Sequence, residues 1–372
     1  MRYVIDVHTN QTCSLRCSYC ALSFDAPPIK YLSEELINQS IASINSLLQN
    51  DRFSARYNII QISFFGGEST QYYKSMKMFC DAFGDNARVC FFLYSNGYKF
   101  SKQIWELLLK HSQDRILDQN QIVPKFLTQI SYDGLASHDV DRLNKQGKKT
   151  ALDVKETIFK MHEKQIPYEV HPTLASKNFD KIALNYLEFR KMRQLGINCG
   201  IYNPTIDYLS KFKFTQAELN SIKETLKVEF KKVLKCALPH YKEFGYFDFG
   251  WFNDQKAICS AGNGYTAIDI DGTILPCHGN FESEKKDELK IGHIADSNLS
   301  DTLLKSSDEY AEKLQYIPEE CQNCYTNLCW KCNAAKYEIS GDWTDYTNQP
   351  GLCEIFKFIG RYRIALFNSL NL

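Results

Sequence analysis

Cys13-Ser14-Leu15-Arg16-Cys17-Ser18-Tyr19-Cys20 forms a C-x3-C-x2-C run directly after the apolar, strand-like stretch Tyr3 to Val7. Three thiolates on one short loop suit three corners of a four-iron cluster and leave its fourth iron open to an external ligand. Thiolates also serve zinc, so a zinc knuckle is the alternative. Zinc sites usually recruit cysteines in C-x2-C pairs that sum to four, and no fourth cysteine or suitably spaced histidine lies near this run. The spacing therefore favours iron.

Fourteen cysteines among 372 residues would suggest disulfides in a small secreted domain, but this chain is large. Its opening, Met1-Arg2-Tyr3-Val4, has no signal-peptide pattern, so a reducing cytoplasm is the expected compartment. No apolar run is long enough to span a bilayer, and no membrane association is expected. Lys plus Arg equal Asp plus Glu at 44 each, which leaves no electrostatic footprint for nucleic acid. The length allows two or three domains, and 24 Phe with 22 Tyr suffice to fill a sizeable core.

Apolar strand-like runs alternate with longer helical patterns, the order of βα units around a parallel sheet. Expected strands are Tyr3 to His8, Ile59 to Phe65, Val89 to Ser95, Phe126 to Tyr132, Tyr168 to Thr173 and Asn198 to Asn203. Helices are expected over Ser33 to Leu48, Ser101 to His111, Ala151 to Glu163 and Lys181 to Leu195, with a further amphipathic stretch from Phe214 to Leu234. Six such units predict an α/β fold with a partial (β/α)6 TIM-type barrel, whose functional residues gather at the C-terminal strand ends.

Those ends carry distinctive residues. Strand two is followed by Gly66-Gly67-Glu68, where a glycine pair lets backbone approach a ligand and a carboxylate can accept from an ammonium group. An ordinary turn is the alternative. Strand three ends at Ser95-Asn96-Gly97, and strand four at Ser131-Tyr132-Asp133-Gly134, followed by His138, Asp139 and Arg142.

A second cysteine field comprises Cys259, Cys277, Cys321, Cys324, Cys329, Cys332 and Cys353, beyond a turn-rich aromatic segment from Pro239 to Phe252. Between its first two members, Tyr265 to Leu275 reads as two strands around Asp271-Gly272, a hairpin that brings Cys259 and Cys277 together. On spacing alone this field suits zinc ribbons. Cys80, Cys90, Cys199 and Cys236 read as small core residues.

The N-terminal run, with Tyr19 before its last cysteine, resembles the signature of the radical S-adenosylmethionine (SAM) superfamily, in which SAM chelates the open iron. Gly66-Gly67-Glu68 resembles that superfamily's motif for the SAM amino group, and Ser95 and Asn96 at the next strand end, otherwise an ordinary turn, are further candidate cofactor-binding residues. The stretch from Ser131 to Arg142 resembles peptide-modifying members, which implies SAM ribose or carboxylate contacts for Ser131 and Arg142. The second field resembles the SPASM extension, a small cysteine-rich domain with a β-hairpin and helices that carries two auxiliary four-iron clusters. The resemblance implies a radical SAM barrel over 1–235 and a SPASM domain over 236–372. It assigns Cys321, Cys324, Cys329 and Cys353 to the outer cluster and Cys259, Cys277 and Cys332 to the inner one, three four-iron clusters in all.

Two departures from the family pattern stand out. The block from Cys321 to Cys332 is C-x2-C-x4-C-x2-C, tighter than the usual C-x2-C-x5-C-x3-C, and only three cysteines remain for the inner cluster. The implied activity is reductive cleavage of SAM and hydrogen abstraction from a peptide or protein, with a flavodoxin or ferredoxin as reductant. An oxidative thioether or carbon–carbon crosslink in a ribosomal peptide is the expected outcome. Formylglycine formation in sulfatases is the runner-up, because that enzyme type carries an aspartate where this chain has His278. A non-catalytic electron-transfer or zinc-binding protein is the reading from another class. His278, His171 and Tyr202 are the candidate catalytic residues by placement.

Overall fold

The computed structural model describes residues 1–20, 22, 30–173, 176–199, 215–237, 259–315, 319, 324, 337, 340–343, 353, 354, 357, 358 and 361. Its strands, in chain order, are β1 (Arg2–His8), β2 (Leu15–Cys17), β3 (Ile59–Phe65), β4 (Val89–Ser95), β5 (Arg115–Asp118), β6 (Gln121–Pro124), β7 (Phe126–Ser131), β8 (Arg142–Asn144), β9 (Tyr168–His171), β10 (Tyr265–Ile268), β11 (Thr273–Leu275) and β12 (Gly292–His293). Among the described residues one eight-stranded sheet runs β12-β11-β10-β1-β3-β4-β7-β9. From β10 through β9 every neighbouring pair is parallel. Cys199, in the sixth expected strand, adds a parallel bridge to Val170, and 200–203 lie outside the described residues.

Alternation along the strands separates two environments. Ile5 and Val7 of β1, Ile60, Ile62 and Phe64 of β3, Phe91 and Leu93 of β4, and Phe126 and Ile130 of β7 form one core with Ile37, Ile44, Phe79, Ile104, Val154 and Ile158 from the connecting helices. Burying one such aliphatic or aromatic side chain contributes about 1.5–3 kcal/mol, so this face holds the helices in place. The opposite face bears Asp6, His8, Gln61, Ser63, Gln129, Glu169 and His171 in the alternate positions. A parallel sheet is ordinarily apolar on both faces, and the polar side here marks a surface that meets something other than core.

The expected helices appear as Glu34–Gln49, Lys102–Lys110, Ala151–Glu163, Ile182–Gln194 and Gln216–Ala237. Ser33 and Ser101 serve as N-caps, their hydroxyls accepting from Leu36 N and Ile104 N, which is why the sequence pattern begins one residue earlier than the helix.

β10 continues the barrel sheet, pairing with β1 from Val4↔Tyr265 to Val7↔Ile268. It then turns into β11 through the expected Asp-Gly hairpin, with Gly272 at φ 85° and no room for a Cβ beside His293. Gly262 N donates to Pro276 O at 3.0 Å, drawing the chain after Cys259 against the residue before Cys277. No helix among the described residues is long and apolar enough to cross a membrane.

Candidate active site

Three strand ends meet at the cysteine loop. β1 runs into Thr9–Thr12 and then Cys13, and the loop after β3 is tied to this segment by Gly67 N→Asn10 O at 2.9 Å and Glu68 N→Thr12 O at 2.7 Å. Gly66 sits at φ 143°, and a Cβ there would lie 2.6 Å from the Asn10 carbonyl oxygen. Glycine is thus required for the two backbones to close on each other.

The Glu68 carboxylate is buried and points across to the end of β4. Its Oε1 accepts from Thr70 Oγ1 at 2.7 Å, Thr70 N at 3.3 Å and Ser95 Oγ at 2.9 Å, and its Oε2 accepts from Asn96 N at 2.7 Å. Burial raises its pKa, and these bonds oppose the rise. Oε2 has one lone pair left beside its single partner. Asn96 Nδ2 donates to Cys13 Sγ at 3.5 Å and Ser14 Oγ at 3.3 Å, so Ser95-Asn96 joins the carboxylate to the thiol loop and is more than a turn.

The other side of the loop is held by β8, whose Arg142 pairs in register with Cys17. Arg142 is buried; its Nε donates to Asp133 Oδ2 at 2.7 Å, Nη1 to Cys17 Sγ at 3.9 Å and Nη2 to Thr173 Oγ1 at 3.3 Å. The Tyr19 hydroxyl also donates to Asp133 Oδ2, at 2.7 Å, and the guanidinium lies 5.1 Å over the Tyr19 ring. Arg142 therefore braces the loop. Ser131 lies at the β7 end, paired in register with His171.

Burial and neighbouring charge set the ionisation of the Cys13 and Cys17 thiols. Burial, followed by the charges of Glu68, Cys17 and Cys20, pushes Cys13 up to about 12. Burial likewise pushes Cys17 up to about 11 against the pull of Arg142. Thiols that disfavour one another's ionisation become thiolates when iron supplies positive charge. Among the described residues no three Cys, His, Asp or Glu side chains gather on one point for a lone metal ion.

Across β1 lies a second group. His278, on the 3-10 turn His278–Asn280 after Cys277, places Nδ1 2.6 Å from Asp6 Oδ2. Tyr265 OH donates to that oxygen and touches the same imidazole nitrogen. Burial and then the Asp6 charge push the Tyr265 phenol well up, so it stays protonated and donates. Phe65 stacks on His278 at 4.2 Å, and the imidazole side chain is 33% exposed. A reciprocal pair lies one step along β1: His8 Nδ1 meets Asp269 Oδ1 at 2.6 Å, and Lys286 also binds Asp269. The two imidazole–carboxylate pairs fasten the hairpin to the barrel edge.

Of the remaining candidates, His171 is held down at about 4 by burial and then by the Arg142 charge. Cys259, Cys277, Cys324 and Cys353 are half-buried and in no disulfide. Tyr202, Cys321, Cys329 and Cys332 lie outside the described residues. Cys80, Cys90 and Cys199 are buried as expected. Sequence reasoning missed Asp6, His8, Asn10 and Tyr265; the one available signal was polar residues alternating within the otherwise apolar β1.

Residues 259–333 match the model of the SPASM iron–sulfur cluster-binding domain. The solved structure of native anSMEcpe with bound AdoMet and Cp18Cys peptide superposes with a TM-score of 0.64 at 15% identity, covering 100% of this chain and 99% of that one. Native anSMEcpe with bound AdoMet gives 0.65 at 15% identity over the same shares. No curated protein matches the sequence. With the cysteine loop at its first strand end and residues 259–333 matched by the SPASM model, the chain shares the fold of anSMEcpe.

Proposed function

We propose that this chain is a radical SAM peptide maturase whose reaction ends in an oxidative thioether or carbon–carbon crosslink within a ribosomally made peptide. One observation carries the reading: the Cys13 thiol, the Asn96 amide and the Glu68 carboxylate converge from three strand ends. Peptide and AdoMet bound to proteins of this fold support the substrate class.

Cys13, Cys17 and Cys20 would hold the SAM-binding cluster, and the C-terminal cysteines two auxiliary clusters, with the radical SAM region at 1–235 and the auxiliary region at 236–372. When bound, these groups supply the reducing electron, the 5′-deoxyadenosyl radical that takes a hydrogen atom from the substrate, and an acceptor for the electron released on oxidation. Glu68 Oε2 would receive the SAM ammonium, and Ser131 and Arg142 would contact its ribose or carboxylate. His278 takes the substrate proton on Nε2 while Asp6, on Nδ1, fixes the tautomer and stabilises the imidazolium. The medium is the cytoplasm, and a flavodoxin or ferredoxin delivers the electron.

Formylglycine formation is the second reading, favoured by the likeness to anSMEcpe and opposed by His278 in place of that enzyme type's aspartate. Co-expression with a small open reading frame adjacent to the gene, followed by tandem mass spectrometry, separates them. A crosslinked product two hydrogens lighter supports the maturase. An aldehyde at a single residue supports the second reading, and an unmodified peptide beside active SAM cleavage counts against that peptide as substrate.

A further inference from the structure

β8 pairs with β2 of the cysteine loop, from Leu15↔Asn144 to Cys17↔Arg142, and runs on into a tight turn over 145–149, Lys-Gln-Gly-Lys-Lys. Lys145 N donates to Ser14 O at 3.1 Å, so the turn begins against the residue next to Cys13. Asn144 closes it: Oδ1 accepts from Gln146 N and Lys148 N, each at 2.9 Å, and Asn144 N donates to Lys148 O at 3.0 Å. Every residue of the turn is exposed. Among the described residues Lys145, Lys148 and Lys149 make no ion pair, whereas Lys74, Lys77 and Lys155 each meet a carboxylate. Lys99 extends the patch: it lies 4.9 Å over the Tyr98 ring, and the Tyr98 hydroxyl accepts from Asn144 Nδ2 at 3.5 Å. Asp153 is the acid that faces Lys99. A lysine-rich turn is ordinarily a solvated surface and nothing more. This one is bonded to the strand of the cysteine loop, in a chain whose charges otherwise balance.

We propose that this basic turn is the docking surface for a small acidic electron-carrier protein, which there delivers the reducing electron to the cluster at the cysteine loop. Opposite charge steers and orients such a partner, and docking at the turn brings the donor within a few residues of Cys13 and Cys17. One electron leaves a flavin hydroquinone, which becomes the semiquinone, and enters the cluster; no bond forms or breaks in the transfer. The inference rests on the reading of Cys13, Cys17 and Cys20 as cluster ligands.

The test uses the full chain reconstituted anaerobically with iron and sulfide, an acidic flavodoxin as the probe, and the variant Lys145→Gln/Lys148→Gln/Lys149→Gln. Binding of oxidised flavodoxin is measured by isothermal titration calorimetry at increasing sodium chloride. In parallel, 5′-deoxyadenosine formation is driven either by flavodoxin hydroquinone or by dithionite, which needs no docking. Wild type should bind flavodoxin with an affinity that falls as salt rises. The turn variant should lose at least about tenfold in binding and in the flavodoxin-driven rate, with the dithionite-driven rate and iron content unchanged. Lys227→Gln/Lys231→Gln/Lys235→Gln, on the helix Gln216–Ala237, removes the same charge elsewhere and should leave both readouts at the wild-type level. Undetectable or salt-insensitive binding by wild type, wild-type behaviour of the turn variant, or an equal loss in the helix variant overturns the docking surface alone. If dithionite yields no 5′-deoxyadenosine with wild type, the radical SAM reading fails and the proposal with it.

Discussion

The Asn96 backbone N–H donates to Glu68 Oε2 at 2.7 Å, while the side chain of the same residue reaches Cys13 Sγ. One residue at the end of β4 thus sets the distance between the carboxylate proposed to bind the SAM ammonium and the first thiol of the cluster loop. Apart from the Asn96 N–H, side chains make both contacts, so changes to either partner should affect ligand binding before they affect the fold.

Glu68→Gln keeps the shape of the side chain and removes its charge. A charge-assisted bond to the ammonium contributes about 1.5–3 kcal/mol, and SAM affinity should fall by that amount in equilibrium binding to the reconstituted protein. Iron content should stay at the wild-type level. Unchanged affinity would return Gly66-Gly67-Glu68 to the role of a structural turn.

Gly66→Ala acts one step earlier. A Cβ at φ 143° meets the Asn10 carbonyl oxygen, and backbone held in so sparse a region costs about 1–3 kcal/mol. The thermal midpoint should drop and the iron retained after gel filtration should fall with it, because Asn10 leads directly into Cys13. A variant that melts and retains iron like wild type would show that the two segments need not approach so closely.

The strand limits at Ile59–Phe65 and Val89–Ser95 and the helix Ala151–Glu163 were legible because an apolar run of matching period is bounded by turn residues on both sides. The antiparallel hairpin β5–β6 was not, since its turn is made by Gln119 and Asn120 at φ 45° and 66° with no glycine to announce it. The pairing of β1 with β10 spans most of the chain, and such long-range contacts leave no local pattern. The cysteines and Glu68 could be named in advance because their chemistry is dense in sequence. Asp6 and Tyr265 could not, because only that same pairing brings them to His278.

Asp133 and Arg142 form an ion pair in which both side chains are buried. Asp133→Asn would leave the guanidinium without its counter-charge, a loss of about 3–5 kcal/mol. Low soluble yield and a depressed melting temperature are expected, together with loosened iron at the Cys17 side of the loop. Wild-type stability in this variant would mean that Arg142 finds full compensation elsewhere.

His138 gives a pH dependence with a definite sign. Burial holds its imidazole down at about 4 against an ordinary 6.5, with Nδ1 accepting from Asp133 N and Nε2 near Thr150 Oγ1. Between those values the unfolded chain binds the proton and the folded one does not, so stability rises with pH across that window and is lost as pH falls through it. The loss amounts to on the order of 3 kcal/mol at 1.36 kcal/mol per pH unit. His138→Gln should flatten the thermal midpoint between pH 6.5 and 4.5 relative to wild type. A parallel decline in both proteins would remove His138 as the cause.

The central claim is that Cys13, Cys17 and Cys20 hold the cluster at which SAM is cleaved. Replacing all three by Ala and incubating the reconstituted protein anaerobically with SAM and dithionite measures it directly, with 5′-deoxyadenosine as the readout. The wild-type chain should form 5′-deoxyadenosine and the triple variant none. Undiminished formation by the triple variant, with its remaining iron accounted for, would contradict the claim.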